Sequence, residues 1–275
     1  MTDTNVQTYQ VRAVNDALTS ENRIHSDEIA RRYGFSGALV SGVAVLGHLV
    51  HPLVEAYGED WLGNTAAEVK FLKPAYEDDL LAITTGPGEA SGDTRVHTTR
   101  VHNEDGSLLA VLNSSRPGFR APVSPLAWRV PAAANPPREP IHWDRIILDQ
   151  AAQAYPLALS ADQHRTQLQL IRETLPLFHQ GSQAPLHPYV LLKECNQALM
   201  RLFILPAWIH VGSKMRFRRV LRVGDPIQVH TVPVSKWERK GHQFITLYIA
   251  MSVAGEVALE VEHTAIFRIA AQDSP

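Results

Sequence analysis

Polar and apolar positions follow one succession of rhythms along the chain, and that succession occurs twice. Residues 39–57 are almost wholly apolar, which predicts a buried helix, and residues 67–84 then alternate on either side of an acidic turn, which predicts two strands. The second half repeats the order, with a helix over 188–203 and alternating runs over 213–230. A shift of 146 residues lays Phe71 on Phe217, Asp79 on Asp225, and Leu81 and Ile83 on Ile227 and Val229, which suggests duplication. Each half ends in two further strands, 94–103 with 107–114 and 244–253 with 256–268. The first pair turns at Glu104-Asp105-Gly106, where Asp-Gly favours a hairpin, and the second at Ala254-Gly255. Residues 8–14 supply the first strand of the first unit; residues 141–183 add a strand and a helical insertion over 161–174.

One long apolar helix followed by several antiparallel strands can bury itself only in the concave face of a curled sheet, so the fold class is α+β. Residues 116–141 carry seven prolines, a density that excludes regular helix and central strand. The expected organisation is a unit at 1–115, a surface linker at 116–141 and a unit at 142–275.

Composition narrows the function classes. A net charge of −2 lacks the broad basic surface of a nucleic-acid binder. Cys195 is the single cysteine, which excludes an intramolecular disulfide and reads as a buried, inert thiol. The first seven residues lack the basic and apolar regions of a signal peptide. The apolar stretch at 39–54 is interrupted by Ser41, His48, His51 and Pro52 and is too short to span a bilayer, so a cytoplasmic protein without membrane contact is expected.

The chemistry concentrates in residues 19–48. A polar loop with Glu21, Asn22 and His25 runs through Gly34-Phe35-Ser36-Gly37 to Ser41-Gly42 at the head of the apolar helix. The stretch resembles the hydratase motif of MaoC-like (R)-specific enoyl-CoA hydratases and acyl dehydratases, in which Asp-x-Asn-Pro-x-His precedes His-Gly at a buried helix. Asn22 and His25 match; Ser41-Gly42 stands where His-Gly is usual, Ser20 stands at the aspartate and Arg23 at the proline. The helix-in-sheet plan, present twice, looks like a double hot dog. Segments 208–213, 237–244 and 263–267 are similar to segments of other double hot dogs and carry no assigned role.

The resemblance implies reversible hydration or dehydration of an acyl thioester held by coenzyme A or acyl carrier protein, with no redox or metal cofactor. Such chemistry needs a base for water, an acid for the α-carbon and donors for the enolate-like oxygen. Carried over by residue, His25 activates water, Asn22 positions the loop, and the Gly42 N–H at the positive end of the helix polarises the thioester carbonyl. Ser41 either bonds that carbonyl or caps the helix. Glu21 is the acid nearest in sequence to the missing carboxylate and reaches the site only if the loop shifts register.

Two rivals remain: a non-catalytic thioester binder, and a thioesterase using Glu194 on the second helix. His48 and His51 have the spacing of a metal pair but no third ligand nearby. Lys214, Arg216, Arg218, Arg219 and Arg222 form a basic strand, suited either to coenzyme A phosphates or to blocking edge pairing. The interior of the second unit, lined by Val190, Leu191, Leu199 and Phe203, is expected to admit the acyl group. A double hot dog makes internally the interface that single hot dogs make by pairing, so a monomer or a homodimer is allowed.

Overall fold

The computed structural model describes residues 7–118, 121–131 and 137–270. In the first half, strand β1 (Gln7–Arg12) leads through the polar loop to the short helix α1 (Asp27–Arg32) and the long helix α2 (Gly42–Tyr57). Helix α3 (Glu59–Gly63) and strands β2 (Thr65–Phe71), β3 (Leu80–Thr85), β4 (Glu89–Ser91), β5 (Thr94–His102) and β6 (Leu108–Arg116) follow. Strand β7 (Glu139–Pro140) lies in the proline-rich segment, of which residues 119–120 and 132–136 fall outside the described residues. The second half holds β8 (Tyr155–Leu157), helices α4 (Ala161–Leu170) and α5 (Pro188–Leu202), and strands β9 (Phe203–Ile204), β10 (Ile209–Phe217), β11 (Ile227–Arg239), β12 (His242–Val253) and β13 (Glu256–Arg268).

The main sheet runs β1-β3-β5-β6-β2-β10-β13-β12-β11-β8, with β4 on β5. Outward from the central joint the two halves follow the same order, β2-β6-β5-β3-β1 and β10-β13-β12-β11-β8, which is what a duplicated unit related by an approximate two-fold axis produces. The joint is the antiparallel pair β2–β10, from Gly212 opposite Lys70 to Phe217 opposite Thr65. Gly212 is required there, because a Cβ would stand 2.7 Å from the Val69 carbonyl oxygen. A bulge between His210 and Gly212 breaks the alternation of β10 against β13.

Both long helices lie inside this sheet. Every residue of α2 from Val43 to Val54 is buried, as expected of a helix apolar all round. The helix starts at Gly42 rather than 39, because Ser41 Oγ accepts the Ala44 N–H at 3.2 Å, and Gly58 ends it at φ 57°. Helix α5 packs against α2, with Tyr189 and His187 beside Gly47. Val190, Leu191 and Leu199 are part of the common core, with Phe203 packed on it, so the second unit does not set this volume aside for an acyl group.

The buried start of α5 has a polar device of its own. His187 caps the helix by accepting the Tyr189 N–H on Nδ1, and its Nε2 lies 3.1 Å from Glu173 Oε2. Glu173 Oε1 is 3.0 Å from His51 Nδ1 and also accepts the N–H groups of Thr174 and Leu175, which ends the insertion helix at Leu170 instead of 174. Tyr9 stacks on His51 at 3.9 Å. His51 is thus held by a buried carboxylate and a ring, and among the described residues no group of acids, histidines and cysteine has the arrangement of a metal site. Among them too, no helix is long and apolar enough to cross a membrane. Burial alone would raise the Glu173 carboxyl, yet hydrogen bonds from His187 and His51 hold it well below the carboxylate range. A depressed folded pKa adds stability that is present above the ordinary glutamate value of about 4.3 and fades as pH falls below it. Glu173→Gln is expected to cost about 3–5 kcal/mol at pH 7, and urea denaturation should show a smaller gap between the variant and the wild type at pH 3.

Candidate active site

A cavity of about 360 Å³ opens at the amino end of α2 and takes its walls from both halves of the chain. The first half contributes Asn22, His25, Ser41, Gly42 and the end of β2; the second contributes Asn196 of α5, Trp208 through Val211, Phe244 and Ile266. The lining is mostly aliphatic and aromatic, and its one charged side chain besides the histidines is Lys73, which is exposed. The basic strand does not line it: Lys214, Arg218 and Arg219 pair with Glu262, Glu260 and Glu256, and Arg222 with Glu59.

Asn22 fixes the polar loop. Its Oδ1 accepts the Trp208 N–H at 3.1 Å and its Nδ2 donates to the Trp208 carbonyl at 2.9 Å, so one amide reproduces a strand pairing between halves. Oδ1 also accepts the Ile24 N–H, which folds residues 23–25 into a single 3-10 turn. Asn15 holds the far side of that turn by donating to the His25 carbonyl at 3.1 Å.

His25 is buried in this turn, and its two ring nitrogens have separate tasks. Nδ1 sits 2.7 Å from the Leu39 carbonyl, which can only accept, so Nδ1 carries the proton. Nε2 is therefore the unprotonated nitrogen, and it accepts a long hydrogen bond from Asn22 Nδ2 at 3.3 Å. Burial lowers the His25 pKa, against the opposing effects of the Leu39 carbonyl and the Asp16 charge, so the ring is neutral at neutral pH.

The carboxylate of the site is Asp16, which sequence reasoning passed over. Its side chain is 1% exposed. Ser41 Oγ donates to Oδ1 at 2.5 Å, Tyr189 OH donates to Oδ2 at 2.8 Å, and Lys193 Nζ stands 3.8 Å away. Ser41 thus does two things at once, capping α2 and carrying the acid's influence to the cavity wall. Glu21 is a correction: its side chain is 64% exposed and bound to Arg138 at 2.7 Å, so it faces away from the cavity that its neighbour Asn22 lines. Ser20 accepts the Asn22 N–H as a turn residue, and Arg23 is exposed. Ser26 stands at the start of α1, but its hydroxyl donates back to the Arg23 carbonyl and makes no cap.

Gly42 lines the cavity as the first residue of α2, where the backbone N–H has no partner within the helix. A Cβ there would lie 3.1 Å from the Phe71 ring and 3.2 Å from His210 Nδ1, so a larger residue would press on two rings of the wall. Three buried polar atoms of lining residues have no partner, His210 Nδ1, Asn196 Oδ1 and Trp208 Nε1. Glu194 lies elsewhere: it accepts from Tyr155 OH at 2.8 Å, and burial raises its pKa. Cys195 is buried, and burial pushes its thiol well above the usual range.

The sequence matches no protein-family model and no curated protein. Solved structures are similar over nearly the whole chain. A conserved hypothetical protein of Mycobacterium tuberculosis with a double hot-dog fold superposes with a TM-score of 0.67 at 13% identity, over 97% of this chain and 96% of its own. The chain is a double hot dog. A Chloroflexus aurantiacus protein assigned as a MaoC-domain dehydratase gives a TM-score of 0.64 at 13% identity, with 95% of each chain covered. A Novosphingobium aromaticivorans protein assigned as a thioesterase gives 0.53 at 14%, again with 95% of each covered. Identities this low establish the shape; the chemistry of this double hot dog rests on its own residues.

Replacing Asn22 with alanine would strip both backbone groups of Trp208 of their partners, at a cost of about 1–3 kcal/mol for each buried group. The expected result is a stability loss in urea denaturation together with faster proteolysis of residues 15–26, since the clamp is what ties that loop to β10.

Proposed function

We propose that this double hot dog adds and removes water across the α,β double bond of an acyl thioester. The observation that carries the reading is a neutral imidazole, unprotonated at Nε2, in the wall of a mostly apolar cavity beside the open amino end of a buried helix. In the hydration direction, Nε2 takes a proton from water as the water oxygen bonds the β-carbon. The π pair moves onto the α-carbon and the thioester carbonyl, and the oxygen that gathers charge is met by the Gly42 N–H and the helix dipole. The proton held on Nε2 then passes to the α-carbon, so hydrogen and hydroxyl are both added and His25 returns to its starting form. Asp16 replaces Glu21 in this reading. Its charge favours the imidazolium that forms in the middle of the reaction, and its bond to Ser41 keeps α2 in place. The apolar lining suits the acyl chain, and exposed Lys73 suits an anionic carrier such as coenzyme A or acyl carrier protein.

The thioesterase reading is weaker because Glu194 is bonded to Tyr155 and is absent from the cavity wall. Incubation with crotonyl-CoA tests all three readings together. Loss of the enoyl absorbance supports hydration, release of free thiol supports the thioesterase, and retention of the intact thioester supports the binder. His25→Ala should lower hydration by about 10²–10⁴-fold, the usual worth of a general acid–base group; unchanged turnover removes the assigned base. Because burial depresses the His25 pKa, the base form persists below the ordinary histidine value of about 6.5. The kcat/KM for hydration should therefore stay level from pH 8 to pH 6.5 and decline only in more acid solution.

A further inference from the structure

We infer that His210 donates a second hydrogen bond to the thioester carbonyl oxygen, from Nδ1 and alongside the Gly42 N–H, with Ser213 and His263 holding it in the tautomer that does so. The inference rests on reading the cavity as an acyl-thioester site. His210 is buried, lines the cavity, and leaves Nδ1 without a partner, 3.2 Å from where a Cβ of Gly42 would be. The bulge that follows it in β10 lets consecutive residues Ile209, His210 and Val211 all reach the cavity wall, which strict alternation would forbid. Its ring is held on both sides, edge-on to Phe71 at 4.8 Å and stacked on His263 at 4.1 Å.

The tautomer follows from proton counting. Ser213 Oγ lies 2.9 Å from His210 Nε2 and 3.1 Å from His263 Nδ1. Among the described residues Ser213 Oγ bonds only these two rings, so its one proton goes to one ring and it accepts from the other. If His210 Nε2 donated, Ser213 would donate to His263 Nδ1 and the His263 proton would sit on Nε2. Either order leaves one buried ring N–H with no protein partner, but His263 does not line the cavity, whereas His210 does and a bound ligand can satisfy it there. The opposite order leaves His263 Nε2 as a bare acceptor, runs His263 Nδ1–H to Ser213 and Ser213 O–H to His210 Nε2, and puts the remaining proton on His210 Nδ1, facing the cavity. Burial, and then the neighbouring His263 ring, keep His210 well below the usual histidine range against the opposing effect of the Gly212 carbonyl, so it donates as a neutral imidazole.

The test uses butyryl-CoA carrying a ¹³C-labelled thioester carbonyl, a saturated probe that binds but cannot be hydrated. Its carbonyl stretch is read by isotope-edited infrared spectroscopy on the full-length protein. Binding to the wild type should move the stretch to lower frequency, and His210→Ala should lose about half of that displacement if two donors share the oxygen. His210→Asn places an amide N–H near the position of Nδ1 and should recover the displacement. His210→Gln, whose amide reaches toward Nε2, should not. In crotonyl-CoA hydration, His210→Ala should lower kcat by about 10²–10³-fold, the effect of removing one oxyanion donor, with KM little changed. An equal carbonyl frequency in wild type, His210→Asn and His210→Gln overturns the assignment, as does failure of butyryl-CoA to bind at all. A displaced carbonyl that depends on His210, in a protein that leaves crotonyl-CoA unchanged, upholds the donor and rejects the hydratase reading.

Discussion

Two helices enclosed by one sheet create the constraint on which the rest of the molecule depends. A helix begins with backbone N–H groups that no residue of its own can accept, and these are ordinarily left to water. Here both helix starts lie in the interior, where an unpaired donor costs about 1–3 kcal/mol. Each is answered by a capping side chain that is itself bonded to a buried carboxylate, Ser41 with Asp16 for α2 and His187 with Glu173 for α5. Burying a carboxylate is tolerable only when it is paired. Tyr189 and Lys193 therefore come from α5 to Asp16, and His51 comes from α2 to Glu173. The two helices are tied to each other by the groups that repair their ends.

The same enclosure sets the protonation of the site. A low-dielectric wall disfavours a charged imidazole, and burial lowers the pKa of His25, His210 and His263 alike. Neutral rings then differ only in which nitrogen holds the proton, and local acceptors decide that. The Leu39 carbonyl makes the cavity side of His25 an acceptor; Ser213 and His263 make that of His210 a donor. An acceptor and a donor of the same residue type in one cavity are what a water and a developing oxyanion respectively need, and no charge has to be buried to obtain them.

Local order explains what could be read from the chain. Asn22, His25, Ser41 and Gly42 were legible because the turn and the helix start are built from near neighbours, and the repeat was legible because alternating strands and acidic turns leave a spaced imprint. Asp16 was not, since its partners are Ser41, Tyr189 and Lys193, and nothing near it in sequence marks it as buried. Glu21 was misread for the converse reason: it stands in a bend next to an inward Asn22, and adjacency in sequence did not carry it inward; Arg138 on the surface holds it instead. Trp208, His210 and Asn196 enter the cavity from the other half of the chain. The segment 208–213 was noticeable only as a shared pattern, because the bulge that turns it toward the cavity depends on the pairing of β10 with β13. The residues named for an acyl space in the second unit, Val190, Leu191, Leu199 and Phe203, are spent on the common core instead.

The duplicated plan allows a direct account of why one unit keeps a site and the other does not. The shift that superimposes the strands lays Asn22 on Leu168, His25 on Ile171, Ser41 on His187 and Gly42 on Pro188. Leu168 and Ile171 are buried apolar residues, so the clamp and the base are replaced by packing, and Phe178 closes on His187 edge-to-ring at 4.4 Å. Pro188 is the sharper change. Proline suits the first position of a helix because the N–H it lacks would have been unsatisfied. By the same fact it abolishes the donor that Gly42 offers to a carbonyl oxygen. His210 corresponds to Asn64, which accepts from Gly118 N–H and closes a turn. Each of these five residues thus has a counterpart in the other unit that trades reactivity for packing or capping. A chain that needs two units of one sheet to bury two helices needs only one helix start left open to a ligand.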